Sequence, residues 1–145
     1  MTGIYKMDKE DLMKYAELYV ELFNAEPWND RWTVATAYKR LENIYNTPHF
    51  VGMKYLESGE IKGAIFGNCQ QWYLGMHYNL MEMFVVADSQ GKGIGASLMM
   101  TLETELKLLG VNTIILFTSK DETDVFYKKQ GFKELGFMCM MEKGI

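Results

Sequence analysis

Leu12, Tyr15, Ala16, Tyr19, Leu22 and Phe23 recur at helical spacing, and Asp8 stands ahead of them with Asp11 three positions on. That pattern predicts a capped helix ending near Asn24. A second helix is predicted from Val34, Ala37, Tyr38, Leu41 and Tyr45, with Thr33 as its cap and Thr47-Pro48 as its stop. The period then changes. Phe50 to Leu56 and Ile61 to Gln71 flank Glu57-Ser58-Gly59-Glu60 as a hairpin would, and Gly67 inside the second run suggests a bulge. With a short strand at Ile4 to Lys6, this half reads strand, two helices, two strands.

After Gly75 the apolar runs lengthen. Tyr78 to Val86 reads as a strand, Gly93 to Leu109 as a helix with Ile94, Leu98, Leu102, Leu106 and Leu109 inward, and Thr113 to Thr118 as a continuous apolar strand. Strands apolar on both faces and joined by a helix are those of a right-handed crossover in a buried sheet. A short helix over Thr123 to Gln130 closes on Gly131, and Phe132 to Glu142 is expected to return as one or two strands. The expected class is α/β with a mixed sheet, mostly antiparallel at first and crossing over in the second half.

Composition narrows the picture. A chain of 145 residues, 48% apolar, suits one domain over 1–145. Net charge is −4 and the basic residues are scattered, which argues against nucleic acid and is compatible with a cationic substrate. The longest apolar runs, Met83 to Ala87 and Phe137 to Met141, are too short to span a bilayer, and residues 1–20 do not resemble a signal peptide. The expected location is therefore cytoplasmic, with no membrane partner. Cys69 and Cys139 lack a CxxC partner or metal-ligand spacing, so both are expected to be reduced packing residues, and no metal is expected. Met99, Met100, Met138, Met140 and Met141 fall at core-like positions. The strand expected at Phe137 to Met141 is a candidate homodimer edge.

Gln90-Gly91-Lys92-Gly93-Ile94-Gly95-Ala96 lies between a predicted strand and a predicted helix, where free backbone N–H groups and the helix dipole converge on an anion. A diphosphate suits such a loop. The GxxxxGK[ST] of a P-loop is absent. GxGxxG/A is met by Gly91, Gly93 and Ala96, but too little chain follows to build a dinucleotide-binding domain.

Gln90-x-x-Gly93-x-Gly95, the preceding Met83-Phe84-Val85-Val86, and Val125 to Phe132 with its Phe-Tyr-x-Lys-x-Gly-Phe character together resemble three motifs of the GNAT acetyltransferase superfamily. The resemblance implies a central mixed sheet flanked by about four helices, with a splayed strand pair that binds acetyl-CoA. It implies that Gln90, Gly91, Lys92, Gly93, Ile94, Gly95 and Ala96 hold the pyrophosphate, and that the pantetheine arm pairs with the edge at Phe84, Val85 and Val86. It also implies that the Tyr127 hydroxyl reaches the coenzyme sulfur. Two positions depart from the family pattern, Lys120 where an asparagine is usual and Thr123 where a small residue is.

Transfer of acetyl to an amine needs a base, because a lysine-like amine with a pKa of about 10.4 is protonated at neutral pH. Glu82 is the one charge between Leu80 and Ala87, and a carboxylate in an apolar strand is costly unless paired or useful. It is the candidate base; Asn79 and His77 are weaker candidates. The stretch between the first two helices, with Glu26, Trp28 and Asp30, and Trp72 at the end of the third strand, are the candidate acceptor contacts, since aromatics beside carboxylates suit a cationic amine. The expected function is N-acetyl transfer from acetyl-CoA to a primary amine of a small molecule or peptide. A non-catalytic acyl-CoA-binding domain is the alternative.

Overall fold

The computed structural model describes residues 1–120 and 122–145. Its strands are β1 (Gly3–Lys6), β2 (Phe50–Glu57), β3 (Glu60–Trp72), β4 (Gly75–Val85) and β5 (Val111–Ile115). Its helices are α1 (Leu12–Phe23), α2 (Val34–Tyr45), α3 (Ile94–Leu108) and α4 (Glu122–Lys129). The strands form one sheet in the order β1-β2-β3-β4-β5, antiparallel through β4 and parallel between β4 and β5. This is the mixed sheet and crossover that the apolar runs predict. Among the described residues no helix is long and apolar enough to cross a membrane.

Two cores sit on opposite faces of the sheet. Leu12, Tyr15, Ala16 and Tyr19 of α1 and Ala37, Leu41 and Ile44 of α2 pack against Ala64, Phe66 and Phe84. On the other face, Ile94, Leu98, Met99, Leu102 and Leu106 of α3 cover Met53, Ile65, Tyr78 and Leu80. Helix α2 is rotated from the predicted phase: Ala37, Leu41 and Ile44 are buried, Tyr38 and Tyr45 half-buried, and Val34 exposed. Thr33 caps it as expected, accepting from the Thr36 amide at 3.0 Å.

One irregularity decides where the chemistry points. The β3–β4 register pairs Phe66 with Glu82 and then Gly67 with Leu80, so Met81 is an extra residue on β4. A bulge reverses side-chain parity along its own strand. Before it, Tyr78 and Leu80 face α3; after it, Met83 and Val85 do. Glu82 and Phe84 therefore turn toward α1 and α2. Gly67 allows this close pairing, because a Cβ there would lie 1.9 Å from the Asn79 carbonyl oxygen. The predicted bulge is thus real, but its extra residue lies on the partner strand.

Strand β5 pairs with β4 only from Met76 to Asn79. Beyond Asn79 the two strands splay, leaving the β5-facing edge of β4 open over residues 80–85.

Four expectations are corrected: a strand over 132–142, packed Met100, Met138, Met140 and Met141, a packed Cys139 and an inward Leu109. Residues 132–142 form no strand, and Phe137, Met138, Met140, Met141 and Cys139 are exposed rather than packed. Apolar content by itself does not make a strand: β-propensity depends on pairing and packing context, and this segment pairs with no strand although β5 has no outer neighbour among the described residues. Met100 is 65% exposed because the buried stripe of α3 runs through residues 94, 98, 99, 102 and 106. Leu109, at the C-cap of α3, is half exposed instead of inward.

Candidate active site

The glycine loop forms a small concavity lined by Val85, Ser89, Gln90, Gly91, Gly93, Ile94, Gly95, Ala96 and Phe126, about 190 Å³ in volume. Gly91 and Gly93 have φ of 76° and 81°, the left-handed region that glycine enters at little cost. Gly93 is the N-cap of α3, and its carbonyl accepts from the Ser97 amide at 3.0 Å. The amides of Ile94, Gly95 and Ala96 precede the first helical hydrogen bond and point outward with the positive end of the dipole. A Cβ at Gly91 or Gly93 would meet nothing within 4 Å, so the space above the loop is open. Backbone donors, a helix dipole and open space fit a diphosphate. Lys92 is exposed beside the loop.

The edge beyond the fork can be read from its partners. Gln90 Nε2 donates to the Val85 carbonyl at 2.9 Å, so the backbone of Val85 faces the open side. The Val86 amide donates to the Lys62 carbonyl at 2.9 Å, toward β3. By strand alternation Phe84 shares that direction, while Met83 shares the direction of Val85. Of the residues expected to pair with a pantetheine arm, Val85 presents its backbone to the fork and Phe84 and Val86 do not; Met83 was missed. The Phe84 ring packs against Tyr15, with centroids 6.2 Å apart.

Glu82 is buried between the first two helices. Its Oε1 accepts from the Tyr19 hydroxyl at 2.9 Å and from Arg40 Nε at 2.7 Å. Both contacts fall on one oxygen. Among the described residues, Tyr15 Oη is the buried side-chain polar atom without a partner, so Oε2, which no protein group engages, keeps contact with accessible space. Burial raises the Glu82 pKa above the ordinary carboxylate value; Arg40 and Tyr19 oppose that rise, and Asp30 adds to it. Tyr127 lies on α4 among Phe126 and Phe132, with centroids 5.2 and 5.7 Å away. Burial, with a smaller push from the charge of Glu82, brings its pKa up to about 12.

A second cavity, about 350 Å³, is lined by Trp32, Arg40, Asn43, Ile44, Thr47, Asn68 and Met81. Met81 and Val85 are four residues apart on β4, roughly 13 Å at about 3.3 Å per residue, and Glu82 lies between them. Met81 lines the second cavity and Val85 the loop concavity, while Glu82 itself is in the lining of neither. None of the predicted acceptor residues is in the lining of that cavity. Trp28 packs on Phe23 at 5.0 Å, Glu26 is exposed, and Trp72 stacks on His77 at 5.5 Å by the β3–β4 turn. Asp30 accepts from Trp32 Nε1 at 3.0 Å and borders the site through that ring. Asn79 is committed to Asn68 and Gln70 at 3.1 and 2.8 Å.

Tyr19, Trp32 and Arg40 are the residues that sequence reasoning missed as site members. Tyr19 reads as one more apolar position, and only the bulge aims Glu82 at its hydroxyl. Arg40 carried a signal: it lies three positions after Ala37 and four before Ile44, on the inward stripe of α2. Trp32 is held by Asn24, whose amide both donates to its carbonyl and accepts from its N–H, each at 2.8 Å.

A family model described as "Acetyltransferase (GNAT) domain" matches residues 13–145. Among curated proteins no match is found. The fold is similar to that of a possible acetyltransferase from Clostridium difficile 630, at 13% identity and TM-score 0.85 over 100% of this chain and 99% of the other. It is also similar to an aminoglycoside acetyltransferase from an uncultured soil metagenomic sample, in complex with sisomicin, at 16% identity and TM-score 0.76 over 99% and 95%. A third likeness is to glucosamine-6-phosphate N-acetyltransferase from Arabidopsis thaliana, at 22% identity and TM-score 0.73 over 99% and 98%. At these identities the structural likenesses establish a shared fold.

Proposed function

Because the chain belongs to the GNAT acetyltransferase family, we propose that it transfers the acetyl group of acetyl-CoA to a primary amine by direct attack on the thioester. The observation that supports this reading is Glu82, a buried carboxylate held through Oε1 by Tyr19 and Arg40, on the strand that runs from the second cavity at Met81 to the glycine-loop concavity at Val85. Bound acetyl-CoA supplies the activated thioester. The outward amides of residues 94–96 would hold its pyrophosphate and the Met83 and Val85 backbone its pantetheine amides. The Val85 N–H, facing the fork, is placed to stabilise developing oxyanion charge.

Glu82 Oε2 takes the proton of the incoming ammonium, directly or through one water, which frees the amine lone pair. A pKa raised by burial brings this carboxylate closer to neutrality and makes it a better base than a solvated one. Tyr127, its pKa pushed up to about 12, stays protonated at working pH and offers its O–H to the departing sulfur. A small-molecule amine is the favoured acceptor; the relatives named for aminoglycoside and glucosamine-6-phosphate act on such compounds by their names. A homodimer and a cytoplasmic location complete the proposal. The exposed Phe137 to Met141 stretch and the outer edge of β5, unpaired among the described residues, support the former.

The test is coenzyme A release from acetyl-CoA against a panel of amines, with a no-acceptor blank, for the wild type and Glu82→Gln. Release above the blank that Glu82→Gln abolishes is the expected result. A flat panel with acetyl-CoA still bound would instead make this a non-catalytic acyl-CoA-binding domain.

A further inference from the structure

We infer that the 350 Å³ cavity beside the β4 bulge is an oxyanion subsite, in which Arg40 receives a carboxylate or phosphate carried by the acceptor. For the identity of the ligand as an acceptor this rests on the acetyl-transfer reading; for the anion it rests on the cavity itself.

Of the seven described residues lining the cavity, Arg40 is the only charged one. Trp32, Ile44 and Met81 are apolar walls, and Asn43, Thr47 and Asn68 are neutral polar groups. A cationic group would meet the guanidinium with no carboxylate in the lining to offset it. Glu26 and Asp30, the acids that favoured a cationic acceptor, are outside that lining, and Glu82 already shares Oε1 between Tyr19 and Arg40.

Arg40 is suited to bridging. Its Nε is committed to Glu82 at 2.7 Å, while the side chain remains 37% exposed and lines the cavity. A guanidinium has five N–H donors in a planar fork, so the terminal nitrogens can take an oxyanion while Nε keeps its carboxylate. Asn43, on the same helix one turn further on, adds an amide at the wall. One guanidinium width with a hydrogen bond at each end sets the oxyanion roughly 5–8 Å from an amine at Oε2. The acceptor is therefore a compact amine with its acid a few bonds away, such as a short amino acid or a phosphorylated amine.

The test uses the full chain and matched acceptors, an amino acid against its carboxamide and a phosphorylated amino sugar against its unphosphorylated form. The anionic member should have a kcat/KM about ten-fold higher or more, mainly through KM, as a charge-assisted bond predicts. Whichever pair shows the larger ratio separates carboxylate from phosphate. Asn43→Asp, which adds a negative charge to the wall and keeps the Arg40–Glu82 pair, should lower that ratio. A ratio of one or below in both pairs overturns the subsite and leaves acetyl transfer standing. Independently of turnover, tryptophan fluorescence should respond saturably to inorganic phosphate or glutarate. That response should weaken in Asn43→Asp and vanish in Arg40→Gln; absence of a saturable response in the wild type also overturns the subsite. A saturable response with no amine of any charge acetylated would sink the acetyl-transfer reading instead.

Discussion

Glu82 is a carboxylate in an apolar strand, steadied through Oε1 by a phenol and a guanidinium. If Glu82 serves as the base we propose, it must be ionised to act, and kcat/KM should fall as pH drops through its raised pKa. Arg40→Gln removes the group that opposes the rise, so the acidic limb of the pH profile should move to higher pH. The same variant leaves a buried charge without its partner and should cost roughly 2–3 kcal/mol at neutral pH, less than for a fully buried pair because Arg40 is partly exposed. A carboxylate whose folded pKa is raised costs stability only where the unfolded chain would ionise it. The deficit should therefore shrink as pH falls toward about 4.3; urea titrations at several pH values check it. Tyr127→Phe should lower kcat by about 10²-fold with little change in acetyl-CoA affinity, and an unchanged kcat would remove the tyrosine from the chemistry. At this scale Glu82 was legible as an isolated charge in an apolar run. Tyr19 was not, because a buried tyrosine reads the same whether or not its hydroxyl has work.

At the scale of elements, the β3–β4 hairpin and the start of α3 carry the site. Gly67→Ala would drive a Cβ into the Asn79 carbonyl. The strands must shift, so a loss of about 3 kcal/mol or more is expected from overpacking, together with loss of activity as Glu82 swings from Tyr19 and Arg40. Thermal melts and turnover measure the two effects. Tyr15→Phe should act oppositely. Its hydroxyl is buried without a protein partner among the described residues, and burial raises its pKa beyond the ordinary range. Deleting it should raise stability by about 1 kcal/mol in chemical denaturation. Gly67 announced an irregularity in the sequence, but which strand takes the extra residue depends on the pairing of both. The position of the glycine loop between strand and helix was legible because it is written in consecutive residues.

For the whole molecule, the sheet is open, and β1 and β5 are its edges. Strand β5 has no outer neighbour among the described residues, and Phe137, Met138, Met140 and Met141 stand exposed. Unpaired edges and contiguous apolar side chains favour association. Sedimentation at low micromolar concentration should show a dimer that Phe137→Glu shifts toward monomer, and a wild type that sediments only as monomer would remove the proposal. The sequence by itself determined the order of helices and strands as far as the last helix, the crossover and the glycine loop between β4 and α3, because each is written in local periodicity or consecutive residues. Only the tertiary structure decided that Glu82 meets Tyr19 and Arg40, that Trp32 rather than Trp28 or Trp72 lines the second cavity, and that residues 132–142 remain outside the sheet. Those outcomes depend on strand register, helix phase and available edges, which are set by partners distant along the chain.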